Sequence, residues 1–521
     1  MPFKNACICL FFKQLIKNNR QLLKSDYITF VLFPIVIFAL FLSERIRPDK
    51  SLKNRLFIIL CGAVVLICEL IAVYLVESKI ALILFFLLTS ILAFISGREK
   101  NKKKSGQELL ADWDIFWSQL SFIVLITAFN NSDRWIILVG STINFLADVS
   151  SSFTGYFTNG IKFRLVSDEK SILGSVTFAI VSLVMFLLLG YSTEVFPTMK
   201  SMSGLKFDSY FLMVVTVISI IITFFEVLSS KGFGKFIIPV IISFFIFYFL
   251  IELKPIQFNN YLVGIVLAAV IAALSYKVKF LTLNGSVATF LLAGFVFGLG
   301  GLKWSVPMMS FFILSSILSK LRKKINEEVE TYFEKTGVRD YMQVIANGGI
   351  GGVLVILNSI YYSEIFFIIY LASLASVCAD TWATEIGTWR KTTTYNILNL
   401  KLIKQGVSGG ISLPGTIGAF LGALVIAVSG LAWINFNIVN YFFLIVFAGM
   451  FGSFFDSFLG ATIQAQHKCV ICEKTTEKVV HCGKKAEHQK GILWINNDVV
   501  NLLSGFSGVL IILILKSLVN L

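Results

Sequence analysis

The chain has 521 residues, of which 56% are hydrophobic and only 14% charged, whereas a soluble domain is about 45–50% apolar and about 25% charged. That balance, with a mean hydropathy of +0.83, excludes a disordered, fibrous or disulfide-stapled secreted protein and an ordinary soluble enzyme. The formal net charge of +15 reads as basic cytoplasmic loops and not as a nucleic-acid surface, and the long apolar runs do not resemble the alternating ~10-residue strands of an outer-membrane barrel.

Residues 1–25 read as a basic segment lying at the membrane interface, without a cleavable signal peptide. A helix needs about 20 apolar residues to cross the hydrocarbon, and that ruler predicts about sixteen spans. The first eight fall near 28–43, 57–76, 80–96, 115–130, 135–150, 171–190, 209–229 and 233–252. The others fall near 261–277, 286–301, 304–320, 343–359, 363–379, 411–431, 438–456 and 499–518. The expected fold is therefore an all-α, polytopic integral membrane protein of two helical modules, 26–255 and 260–521. The loops 98–104 and 320–324 are the most basic and are expected inside. On that count the loops 151–170, 230–232, 277–285, 380–410 and 457–498 also face the cytoplasm. These loops hold nearly all of the polar, glycine-rich and acidic residues, and soluble nucleotides and Mg²⁺ are found on that side. The expected setting is a bacterial cytoplasmic membrane, with the lipid bilayer as partner and the active sites facing inward.

In the first module, Asp148 ends a span and is followed by Gly155, Lys162 and Arg164, then by Lys170-Ser171-Ile172-Leu173-Gly174-Ser175. An acid at a membrane helix end is costly unless paired or bound to a cation. Small residues let phosphate approach the backbone, the basic residues could neutralise a triphosphate, and Asp148 could hold Mg²⁺. A polar helix end with a snorkelling basic loop would look similar. The arrangement resembles the CTP-dependent polyprenol kinases, the phytol and dolichol kinase family. Glu226, then Lys231, Lys235 and Ile238-Pro239, resembles that family's later element. Leu173 departs from it, standing where the family usually has Glu. The resemblance implies phosphorylation of an isoprenoid alcohol, with Asp148, Lys170 and Glu226 catalytic and Lys162, Arg164, Ser171 and Gly174 at phosphate.

The second module carries five polar clusters in order: Arg339-Asp340 with Gln343 and Asn347; Asp380-Thr381 with Glu385; Lys404 with Ser408-Gly409-Gly410 and Gly415-Thr416; Gly452-Ser453 with Asp456 and Gln464; and Asn497-Asp498 with Asn501. Phosphoryl transfer needs positioning and charge neutralisation more than covalent help. Asp380, Glu385, Asp456 and Asp498 are candidate Mg²⁺ ligands and, the last excepted, catalytic groups. Asp380 and Glu385 sit about 140° apart on a straight helix, so they need a bend or a share with Asp456. Ser408, Gly409, Gly410, Gly415 and Thr416 offer backbone N–H groups, and Arg339, Asn347 and Lys404 offer side-chain contacts to phosphate. Packing of small residues would explain the glycines but not the acids. The clusters resemble the phytyl-phosphate kinase family, which includes transmembrane protein 19 relatives of unknown function. That resemblance implies addition of a second phosphate to an isoprenyl phosphate.

Within the loop 465–490, Cys469, Cys472 and Cys482, with His481 or His488, could close a structural Zn²⁺ site. All three histidines lie in this loop, so histidine acid–base chemistry elsewhere is excluded. The whole chain then reads as a fused lipid kinase that takes an alcohol to its monophosphate and diphosphate, with Mg²⁺ and CTP as cofactor and cosubstrate. Adjacent steps in one chain raise the local concentration of the intermediate. A CTP-dependent cytidylyltransferase, a lipid or solute transporter, and a chain in which only the second module works are the alternatives.

Overall fold

A computed structural model describes residues 28–29, 31–39, 52–103, 111–158, 160–195, 207–252, 254–326, 338–473 and 475–519. The basic segment 1–25 and Lys104 lie outside the described residues. The chain divides into two compact units, Met1–Pro255 and Ile256–Leu521.

The chain is an all-α integral membrane protein. Among the described residues twelve helices are long and apolar enough to cross a membrane, against about sixteen predicted spans. Three causes account for the difference. The expected spans 286–301 and 304–320 are joined in one helix of the twelve. Two others enter the count only over their described parts, Lys79–Ala93 and Asp114–Ala128. The span expected at 28–43 is described only in part.

The first unit contains α1 (31–39), α2 (Leu52–Leu75), α3 (Lys79–Lys103), α4 (Ala111–Ala128), α5 (Trp135–Phe157), α6 (Ile172–Val195), α7 (Ser209–Leu228) and α8 (Gly234–Phe245). Strands β1 (Lys162–Phe163) and β2 (Lys170–Ser171) pair antiparallel in the α5–α6 connection. That hairpin delivers Lys170 to the start of α6, where Ser171 Oγ accepts from Gly174 N at 3.0 Å and caps the helix. Helix α8 packs against α4 and α5. Gly140 of α5 sits against Pro239 O and Ser243 of α8. Inside the bundle, Gln119 donates to Glu69 and accepts from Thr89 Oγ1 at 2.8 Å, which satisfies polar groups that hydrocarbon would not.

The second unit runs α9 (Pro255–Lys277), α10 (Leu283–Ile325), α11 (Tyr341–Tyr361), α12 (Glu364–Gly387), α13 (Leu413–Gly430), α14 (Ile438–Thr462) and α15 (Asn497–Val519). Helix α10 is broken at Gly301 (φ 60°, ψ −158°), a conformation that glycine tolerates best. Before the break, Gly285 packs on Arg339 while Leu292 meets Gly348 and Gly352, so this part follows α11. After it, Lys303 meets Glu364 at 2.7 Å and Arg322 meets Glu385, so the second part follows α12. The chain therefore turns back at Gly301.

Helix α12 is the core. Residues 367–379 are buried without interruption, as expected of a helix that is apolar all round. Its neighbours approach through small residues. Gly418 and Gly422 of α13, Gly449 and Gly452 of α14, and Gly505 and Gly508 of α15 all lie on its backbone or small side chains. Strands β3 (Thr394–Asn396), β4 (Leu402–Ile403) and β5 (Gly410–Ile411) form a small sheet between α12 and α13. Strands β6 (Gln466–Lys468), β7 (Thr475–Thr476), β8 (Val480–His481), β9 (Lys484–Lys485) and β10 (Glu487–Lys490) fold the segment between α14 and α15.

Candidate functional site

The ends of α10, α12 and α14 and the starts of α11, α13 and α15 surround one cavity of about 220 Å³ in the second unit. It gathers most of the expected residues of this unit: Arg339, Asn347, Asp380, Glu385, Ser408, Gly409, Gly410, Gly415, Thr416 and Asp456. The carboxyl groups of Asp380 and Asp456 lie within hydrogen-bonding reach of each other. Among the described residues, Asp456 Oδ2 and Asn347 Oδ1 are buried without a hydrogen-bond partner. Buried polar atoms are nearly always satisfied, so both point to a ligand in the cavity.

Glu477, which the sequence reading missed, lines the same cavity. It follows β7 and accepts from Ser408 Oγ at 2.6 Å and from Gln464 Nε2 at 2.9 Å. Its charge acts on both Asp380 and Asp456. Its only sequence signal was an acid in a loop otherwise rich in lysine.

The rest of the wall is polar and glycine-rich. Gly406 and Gly409 both take φ 85°, and a Cβ on Gly409 would collide with Ala461. Ser412 caps α13 by accepting from Gly415 N at 3.2 Å, Thr416 N bonds to Ser412 O at 2.8 Å, and Pro414 has no N–H, so the backbone donors expected of Gly415 and Thr416 are used within the cap. Arg339 is buried between helices, its guanidinium 5.2 Å from the ring centre of Phe311. Burial pulls its pKa below the ordinary value, and Glu385 opposes the shift. Asp340 forms a capping box with Gln343 at the start of α11, a structural use of part of the first cluster.

Three expected ligands are placed otherwise. Glu385 is held by Arg322 Nε and by Ser319 Oγ at 2.5 Å, so its charge is matched inside the protein instead of being offered to a metal. Asp498 is buried but is not among the residues lining the cavity, whereas Asn497 and Asn501, one turn apart on α15, are. Lys404 is exposed after β4 and is not in the wall. Arg322, within the basic run 320–324, is the buried cation paired with Glu385. It is 3% exposed.

In the first unit, Lys170 Nζ meets Glu226 Oε1 at 2.5 Å, and Lys235 Nζ meets Asp148 Oδ2 at 2.5 Å. Asp114 lies beside Asp148 and Lys235 and was not anticipated. A mainly apolar cavity of about 200 Å³ has Val65, Leu66, Phe145 and Pro239 in its wall, with Glu69, Asp114, Asp148 and Lys235 also lining it. Lys162 pairs with Glu169 at 3.3 Å, and Arg164 is exposed. Ser171 and Gly174 are used in the α6 cap.

The cysteine loop brings one ligand atom each from Cys469, Cys472, His481 and Cys482 within 4.8 Å of one another. His488 instead faces His467 across the β6–β10 pair, their ring centres 5.8 Å apart. The backbone N–H of Cys472, with that of Ile471 at 3.4 Å, pushes the Cys469 thiol down to about 6.

Comparison with known proteins places the second unit among membrane proteins. Residues 266–509 match the family described as Integral membrane protein DUF92. The chain is 28% identical over 268 residues to Protein PGR of Arabidopsis thaliana, covering 46% of this chain and 91% of that protein. It is 27% identical over 256 residues to an uncharacterized membrane protein of Methanocaldococcus jannaschii, covering 48% and 93%. It is 23% identical over 249 residues to Protein VTE6, chloroplastic, of Arabidopsis thaliana, covering 46% and 66%. No solved structure matches.

Proposed function

We propose that the chain is a membrane phosphotransferase for isoprenoid lipids, and that its second unit moves phosphate from a nucleoside triphosphate, CTP by family resemblance, to an isoprenyl monophosphate. The observation that carries this reading is the meeting of Asp380, Asp456 and Glu477 with Arg339 and the glycine turn in one cavity at the helix ends. Phosphoryl transfer calls for that mixture of positioning groups and charge. The paired carboxyls of Asp380 and Asp456, with an unsatisfied buried oxygen, fit Mg²⁺; when bound, the ion neutralises phosphate oxygens. Arg339, Asn347 and the N–H groups of the glycine turn hold the triphosphate. An oxygen of the lipid monophosphate bonds to the γ-phosphorus, the β,γ-bridging P–O bond breaks, and the nucleoside diphosphate leaves. The attacking oxygen is already anionic, so no general base is required. None of the histidines lines this cavity.

The first unit, on this reading, phosphorylates the isoprenoid alcohol. Its apolar cavity takes the hydrocarbon end, and Asp148, set by Lys235, accepts the hydroxyl proton. The second unit's site is assigned to the cytoplasmic face, since Lys320, Lys323 and Lys324 sit at the cavity end of α10.

The test is purified protein in detergent with Mg²⁺, γ-labelled CTP or ATP, and phytol, a longer polyprenol or their monophosphates. Label on both alcohol and monophosphate is the expected result. Label on monophosphates alone assigns activity to the second unit only. A CMP-linked lipid would establish a cytidylyltransferase instead, and no label on any lipid with the fold intact would favour transport.

A further inference from the structure

We propose that Cys469, Cys472, His481 and Cys482 hold one zinc ion, and that this clamp fixes the loop that delivers Glu477 to the cavity. The zinc assignment stands on its own geometry. Only its consequence for the cavity rests on the phosphotransferase reading.

His481 Nδ1 lies 3.5 Å from Cys472 Sγ and 3.2 Å from Cys482 Sγ. Zn–S bonds of about 2.3 Å and Zn–N bonds of about 2.0–2.1 Å, at tetrahedral angles, put S and N about 3.5 Å apart. The first pair of cysteines forms a tight turn in which Ile471 N donates to Cys469 Sγ at 3.4 Å. The second arm is the β8–β9 hairpin, whose two-residue loop is Cys482-Gly483. Both loop residues have positive φ, 51° and 73°. That turn favours Asn or Gly at its first position. A cysteine there accepts backbone strain, and the strain is explained if its thiol is needed at that point. Three soft thiolates and one imidazole make a closed set suited to structural zinc, with no position left open for catalysis.

The two arms bracket Glu477, which sits between Cys472 and His481 in the chain. Strand β7 pairs with β6 only at Thr475 and Thr476, and Ala486 N bonds to Val479 O at 2.9 Å. Joining the arms closes the chain around Glu477, whose carboxylate reaches the helices by accepting from Ser408 Oγ and Gln464 Nε2 and lines the cavity with Asp380 and Asp456.

The experiment uses the full chain, purified in detergent from zinc-supplemented cells. About one zinc per chain is expected by mass spectrometry, and cobalt exchange should give the strong visible bands of a tetrahedral thiolate site. The double variant Cys472→Ser/Cys482→Ser should lose the metal, as should His481→Ala, while His488→Ala keeps it. In the double variant, backbone hydrogen exchange should quicken at 475–481 and stay unchanged in α12. Folded wild-type protein without zinc and without the cobalt bands would overturn the site. Zinc lost with His488→Ala but kept with His481→Ala would overturn the ligand set. Unchanged exchange at 475–481 after metal loss would overturn the clamp. A failed lipid kinase assay leaves all three readouts as they are, so the two readings fail separately.

Discussion

The two units put charge at helix ends in different ways. In the first, Asp148 is paired with Lys235 and Glu226 with Lys170, each at 2.5 Å. In the second, Asp380 and Asp456 face each other with Glu477 beside them, while the nearby Arg322 is taken up by Glu385. Pairing gives Asp148 and Glu226 each a cation partner and leaves groups able to move a proton. Crowded like charges leave a site that calls for a cation. An alcohol must lose a proton to attack phosphorus and an anionic phosphate need not, so the two arrangements suit the two successive acceptors proposed.

The sharpest way to break that comparison is to remove one acid from each unit. Asp456→Asn or Asp380→Asn should lower phosphorylation of the lipid monophosphate by roughly 10³-fold, the scale of losing several kcal/mol of charge stabilisation. Alcohol phosphorylation should persist. Asp148→Asn should do the reverse. Product analysis with labelled nucleotide reads both, and circular dichroism checks that the helices remain. If either variant abolishes both steps, the units do not divide the work.

A second test separates charge held for structure from charge held for chemistry. Glu385→Ala strands the buried Arg322 guanidinium, and breaking a buried pair costs about 3–5 kcal/mol. The unfolding midpoint in detergent should fall well below that of Asp380→Asn. Wild-type stability with lost activity would instead return Glu385 to the metal site. In the first unit, Gln119→Leu removes the donor to the buried Glu69 and should cost about 1–3 kcal/mol, with monophosphate phosphorylation unchanged.

The fold class was legible because hydrophobic length is a coarse property that survives any packing detail. Asp380 and Asp456 were legible for a related reason, since an acid at a membrane helix end stands out against apolar neighbours. Glu385 carried the same signal, yet it is consumed by Arg322, which lies 63 positions away in the chain. Nothing local distinguishes an acid that meets an arginine from one that meets a metal. Arg322 was hidden among Lys320, Lys323 and Lys324, which are exposed while it is buried. Glu477 and Asp114 were missed because their placement depends on long-range folding of a loop and of α4. Asp498 is buried beside Asn497 without lining the cavity itself, a distinction that no sequence pattern carries.

The smallest effects should come from the exposed basic residues. Lys404 follows β4 at the surface, and Lys162 pairs with Glu169 while both side chains stay about half exposed, 53% and 52%. Exposed pairs are worth about 0–1 kcal/mol. Lys404→Ala and Lys162→Ala should therefore change either step by less than about 5-fold. The Lys404 result also tests the loop that carries it. Residues 402–412 pass through the β4 strand and the glycine turn before reaching α13. If Lys404→Ala costs far more than that at unchanged thermal stability, the loop folds over bound triphosphate and brings Lys404 to it. The comparison would then extend to motion: a second unit that closes on its ligand, beside a first unit whose lysines are already seated on their acids.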